Sequence, residues 1–285
     1  AHYIAGWAWP QAQIAGIALS TTSVAVVYAV MVETGYNQTT LGKIILAACF
    51  VNDLGTVLAL GIIFAQATVW LAVFAAATAF ALWFLPRFAP WFFSRVGHRV
   101  SEPETKFVAL VLFFLGGLAS VAGSEAVLPA YLVGMALAPA FLKDPELPHR
   151  MRVVAFTILT PFYFLKAGSL VRLDAVIGGA GLIAVFLAVK MATKFAGILP
   201  LTRTFRFGRR EGMYTTLLMS TGLTFGTISA LFGLNKGIID QAQYTILVTA
   251  VIGSAVVPTL IAQRWFQPAE APPKAAAPAE EAEHV

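Results

Sequence analysis

Asp53 lies near the middle of a long apolar run, Leu41–Phe64, directly after Asn52, and the only other charged residue there is Lys43 at the edge. A carboxylate at bilayer depth is costly and is seldom kept without a use. Burial makes proton binding by such a group sensitive to ordinary cellular pH. Once ionised, it offers hard oxygen ligands that suit a small cation such as Na⁺. A proton and a cation then compete for one group, which is sufficient chemistry for exchange. Asn52 adds an amide that can hydrogen-bond nearby backbone without bringing a second negative charge.

The elements that hold Asp53 are read from composition. The chain has 285 residues, of which 59% are hydrophobic and 12% charged, about half the charged share of a soluble domain. The charges cluster between apolar runs of membrane-spanning length, and continuous runs of this kind do not fit the alternating strands of a β-barrel. The expected fold is an all-α polytopic membrane protein with about nine transmembrane helices. The spans are Ala12–Val32, Leu41–Phe64, Ala67–Leu85, Phe107–Ala122, Ala126–Leu142, Val153–Val171, Val176–Leu199, Met213–Leu231 and Ile238–Ala262. The fourth and fifth are short and are parted only by Gly123-Ser124-Glu125. Pro86–Glu104, with Trp91, Phe92, Phe93, Arg95, His98 and Arg99, reads as an interfacial linker with aromatic anchors and a basic face.

Threading the nine spans alternately places fourteen lysines and arginines on one side and only Arg172 and Lys236 on the other. This asymmetry predicts a cytoplasmic C-terminus in a bacterial inner membrane. It also makes the net charge of +5 a topology signal, with no nucleic-acid partner implied. Residues 265–285 are Pro-, Ala- and Glu-rich and are expected to form a disordered cytoplasmic tail. The single cysteine, Cys49, excludes an intrachain disulfide. No cleavable signal is visible at the N-terminus.

Three lysines remain inside predicted spans: Lys166, Lys190 and Lys194. Lys166 and Lys194 lie near span ends, where long stems can snorkel to the interface. Lys190 is deeper, and four residues place it on one helix face with Lys194. Two spans carry hydroxyl clusters, Ser20-Thr21-Thr22-Ser23 in the first and Ser220-Thr221-Gly222-Leu223-Thr224 in the eighth. Such residues let a membrane helix unwind beside a cavity, and transporters built from inverted repeats carry paired broken helices at the midplane. A hydroxyl cluster alone is also ordinary helix-packing material. The ninth span has Thr249-Ala250 where the second has its acid, so only one half would keep a carboxylate.

These residues resemble the monovalent cation:proton antiporter superfamily, the sodium/proton exchangers. Ala18-Leu19-Ser20-Thr21-Thr22 is similar to its Ala-Leu-Ser-Ser-Thr stretch, and Val51-Asn52-Asp53-Leu54 to its acid motif. Pro161-Phe162-Tyr163-Phe164 with Gly168 resembles its Pro-Leu-Phe-Phe helix. Lys194-Phe195-Ala196-Gly197 followed by Arg210-Glu211-Gly212 is similar to its Lys-x-x-Gly and Arg-Glu-Ala. The resemblance implies two inverted repeats with crossed broken helices, a dimerisation panel and a mobile ion-binding core. This chain would supply the last nine helices and lack N-terminal ones. In those terms 1–64 ends the first repeat, 65–104 links, 105–171 forms panel helices and 172–264 forms core helices of the second repeat. Thr221-Gly222-Leu223-Thr224 departs from the Arg-Gly-Glu-type signature of potassium-efflux relatives.

The expected function is secondary antiport of Na⁺ (or Li⁺ or K⁺) against H⁺, by a homodimer in a lipid bilayer, without a resident cofactor. Asp53 would hold the cation or proton, with Asn52, Thr22 and Thr21 around it. The core lysine would be Lys194 by motif or Lys190 by depth. Ser20, Ser220, Thr221 and Thr224 would line the breaks. The alternative is sodium-coupled symport of an organic anion held by Lys166 or Lys190. An intramembrane enzyme is not expected, because His2, His98, His149 and His284 all fall outside the spans.

Overall fold

The computed structural model describes residues 1–64, 68–97, 99–144 and 146–268. Every regular element among them is helical. One turn, α1 (His2–Ala5), precedes α2 (Trp9–Ser20) and α3 (Val24–Glu33). Then follow α4 (Thr40–Phe64), α5 (Val69–Val96), α6 (Pro103–Val121) and α7 (Val127–Lys143). Helix α8 (Glu146–Val154) runs through a wide π turn, Ala155–Leu159, into α9 (Thr160–Ser169). The turn sits just before Pro161, whose ring would clash with the carbonyl four residues back in a regular helix. The chain continues as α10 (Leu173–Gly178), α11 (Ala180–Thr204), α12 (Arg209–Met219), α13 (Thr224–Asn235) and α14 (Gln241–Ile261).

Seven stretches among the described residues are long and apolar enough to cross a membrane: Trp9–Glu33, Thr40–Phe64, Val69–Val96, Pro103–Val121, Ala180–Thr204, Arg209–Asn235 and Gln241–Phe266. Of the other two expected spans, Val127–Lys143 is apolar but short. The other expected span, Val153–Val171, is helical as far as Ser169 but carries Lys166 and the π turn. Ala67, His98 and most of the expected tail, 269–285, lie outside the described residues.

The linker expected at Pro86 differs in the structure. Helix α5 continues through Pro86 and Pro90 to Val96. Proline removes a backbone donor, but rings spaced four apart stack along one face across both prolines. Phe80 lies 5.4 Å from Phe84, Phe84 4.8 Å from Phe88, and Phe88 5.8 Å from Phe92. Arg87 donates to the Trp83 carbonyl at 2.6 Å. This lateral support carries the helix past residues that would stop it in isolation.

The chain divides into two compact units, Ala1–Thr56 with the chain from Val171 onward, and Val57–Leu170. In the second unit Ala81, Leu85 and Ala89 of α5 pack with Val108 and Leu115 of α6 and Val133 and Leu137 of α7. In the first, Val27, Val30 and Met31 of α3 meet Ile45 and Cys49 of α4 and Tyr214, Leu217, Leu218 and Met219 of α12. Helices α2 and α13 also pack in this unit, and glycine lets their backbones approach. A Cβ on Gly226 would stand 2.9 Å from the Ala18 carbonyl and 2.9 Å from both Val251 methyls. Gly226→Ala is therefore expected to destabilise by about 1–3 kcal/mol, the usual range for overpacking, seen as a lowered Tm. An unchanged Tm would contradict the close approach.

Candidate functional site

The first and eighth expected spans are both interrupted, and the interruptions meet. Helix α2 stops at Ser20, Thr21 is extended (φ −61°, ψ 154°), and Ser23 caps α3 by accepting from the Val26 amide at 3.4 Å. Helix α12 stops at Met219 and α13 begins at Thr224. Each break frees carbonyls that lipid cannot satisfy. Hydroxyls from the two clusters take that role. Ser20 donates to Ile17 O and Thr21 to Ala18 O, each at 2.9 Å. Ser220 donates to Thr216 O at 2.6 Å and Thr221 to Leu218 O at 2.7 Å. Two further contacts join the breaks to each other. Thr22 Oγ1 donates to Met219 O at 3.0 Å, and the Ser23 and Thr224 hydroxyls pair at 3.3 Å.

Asp53 reaches this junction from α4 and is 0% exposed. Among the described residues neither carboxylate oxygen has a hydrogen-bond partner. The backbone N–H groups of Val24 and Thr22, where α3 begins, face it without reaching bonding geometry. The positive end of the α3 dipole thus points toward the carboxylate. Asn52 bridges: its Nδ2 donates to Ser20 O at 3.3 Å, and its Oδ1 accepts from Lys194 Nζ at 3.3 Å. Those two contacts agree on which way the amide is turned.

Both lysines come from α11, one turn apart, and their targets differ. Lys194 Nζ donates to Thr22 Oγ1 at 3.0 Å as well as to Asn52. Lys190, 1% exposed, donates to Thr21 O at 2.9 Å. The structure therefore brings together Asp53, Asn52, Thr21, Thr22, Lys190, Lys194, Ser220, Thr221 and Thr224. Ser20 takes part through its carbonyl, while its side chain is exposed. Lys166 is exposed and belongs to the other unit, as does Glu125.

Ser254 escapes the sequence reading, while Gly222 and Cys49 appear in it without the contacts they make. Ser254 of α14 donates to Gly222 O at 3.3 Å, but a lone serine in a span gives no signal. Gly222 is also the point of closest approach to Lys190, since a Cβ there would overlap Nζ. Cys49, one turn before Asp53, sets its Sγ 3.4 Å from Met219 Sδ, so its packing at the junction, rather than disulfide chemistry, defines its place. Among the described residues no three His, Cys, Asp or Glu side chains cluster to hold a metal. Besides the ammonium groups of Lys190 and Lys194, the junction carries one carboxylate, hydroxyls, an amide and carbonyls, oxygens of the kind that suit a small hard cation.

Known proteins resemble this chain along most of its length. A family model described as the transmembrane sodium/hydrogen exchanger matches residues 1–267. The probable Na⁺/H⁺ antiporter 3 of Methanocaldococcus jannaschii is 23% identical over 256 residues, which is 86% of this chain and 66% of that protein. Cation/H⁺ antiporter 15 of Arabidopsis thaliana is 24% identical over 263 residues, 86% of this chain and 32% of that protein. The chain thus spans just under two thirds of the first relative and about a third of the second. With interrupted helices meeting at a buried aspartate and a family match running from Ala1 to Gln267, this integral membrane protein belongs to the sodium/hydrogen exchanger family.

Proposed function

We propose that the chain is the ion-binding part of a secondary antiporter that exchanges a monovalent cation, with Na⁺ favoured, for protons across a membrane. The observation that carries this is Asp53: fully buried, with both oxygens lacking a partner. A structural acid would be satisfied by a lysine or by backbone donors. An ionised carboxylate in this position has nearby positive charge but no direct partner among the described residues, and either a proton or a cation relieves it. The two occupants exclude each other, so binding of one at Asp53 displaces the other.

Asn52 and Thr22 brace the site, and Lys194 touches both. It holds compensating charge close to an empty Asp53 and withdraws as the cation enters. Alternating access follows from movement of the unit carrying the breaks. The basic-loop asymmetry supports a cytoplasmic C-terminus in a bacterial inner membrane, and the family supports a homodimer.

The test is a ΔpH assay in proteoliposomes of the full chain, with Na⁺, Li⁺, K⁺ or choline added outside. Collapse of the gradient by Na⁺ and Li⁺ but not by choline is expected. Indifference to all three metal ions would overturn the reading, and Na⁺-driven uptake of a carboxylate would favour symport instead.

A further inference from the structure

The two lysines do different work, and Lys190 has no part in the exchange as described above. Its head group sits at the carbonyl end of α2, where Thr21 O accepts from Nζ at 2.9 Å. That end carries the negative pole of the half-helix and draws cations. Gly222 of the opposite break supplies the room. A Cβ there would overlap Lys190 Nζ and stand 3.0 Å from Thr21 Oγ1. Ser254 holds the Gly222 peptide in place through its carbonyl. The Thr21 carbonyl and hydroxyl and the space left by the absent Gly222 side chain surround the Lys190 ammonium group.

We propose that the Lys190 head group is a tethered occupant of a second small-cation position at the helix break, which leaves the Asp53 side as the place for a free cation. Lys190 is then a positioning residue: it fixes Thr21 and the end of α2 and keeps a second transported ion out. The ligand class for the emptied position is a small primary ammonium ion. The melting test below is independent of the exchanger reading; only its transport arm rests on it.

Lys190→Ala should open the position. Thermal melts of the purified protein in ammonium or methylammonium chloride should then show a saturable Tm rise over equal choline chloride, about 3 °C or more well above half-saturation. Wild type should show no such difference. In proteoliposomes, ²²Na⁺ uptake by Lys190→Ala should fall about tenfold, the rate equivalent of one lost charged hydrogen bond, and recover with methylammonium. Lys190→Met fills the space and should not recover. Gly222→Ala should lower Tm by displacing the amine. In the Lys190→Ala background it should cost less, since only the 3.0 Å approach to Thr21 Oγ1 remains, but abolish the ammonium effect, a non-additivity that reports the contact.

Wild-type Tm and uptake in Lys190→Ala, or a loss that ammonium and choline affect alike, would overturn the proposal. If Lys190→Ala does not fold, Gly222→Ala decides: a lowered Tm supports the contact and an unchanged one refutes it. Absence of any exchange by wild type would sink the exchanger reading and leave the melting result standing. Exchange that depends on Asp53 while Lys190→Ala ignores ammonium would sink this inference alone.

Discussion

Asp53→Asn is expected to reduce exchange to the level of protein-free vesicles while leaving the protein folded, with a Tm at or above that of wild type. Both effects have one cause. The carboxylate oxygens make no hydrogen bond in the fold, so replacing the acid removes no contact. The isosteric amide cannot ionise, and relief of an unpartnered buried acid is worth about 1–3 kcal/mol, a Tm rise of a few degrees. Loss of transport with a steady or raised Tm is the signature of a group kept for its chemistry. Retained ²²Na⁺ uptake in a folded variant would remove Asp53 from its role. A steep fall in Tm would instead show that the acid holds the helices together.

Lys194→Ala should move stability the other way. It takes the donor from Thr22 Oγ1 and from Asn52 Oδ1 at once, two contacts that tie α11 to the first break and to α4. At the roughly 1.5–3 kcal/mol of a charged hydrogen bond, with partial compensation between the two, Tm should fall by about 5–10 °C, and exchange should fall with it. Lys194→Gln separates donor from charge. Its amide is one bond shorter and keeps only part of the donor function, so Tm should lie between those of wild type and the alanine variant. Loss of a positive charge near the carboxylate should lower the half-saturating Na⁺ concentration. Equal Tm losses in the alanine and glutamine variants would show that the site uses the ammonium charge rather than the hydrogen bonds.

Much of this site is legible in the sequence because membrane chemistry makes exceptions visible. An acid, two lysines one turn apart and two hydroxyl clusters stand out against apolar spans, and the structure gathers them at one junction. The division of labour between the lysines is not legible. Depth points to Lys190 and the resemblance to Lys194, yet both side chains reach the breaks, and which oxygen each meets depends on helix rotation and stem conformation. Ser254 is hidden for a related reason, since a serine in a span is common and only the neighbouring helix gives it a task; Gly222 is visible as part of a break, but its contact with Lys190 is not. The extension of α5 past Pro86 is lost to sequence reading because a local breaker is overruled by stacking between rings four residues apart, a contact that propensity does not contain.

The way the breaks are satisfied also bears on how the protein is made. Ser20, Thr21, Ser220 and Thr221 all bond carbonyls of their own helices, so each interrupted span can enter lipid before the other has left the ribosome. Asp53 has no such arrangement. The lysine that touches its neighbour Asn52 lies 142 residues further along, so α4 carries its acid into the membrane well before α11 is made. The assembly step most sensitive to truncation or slowed synthesis should therefore fall between the synthesis of α4 and that of α11.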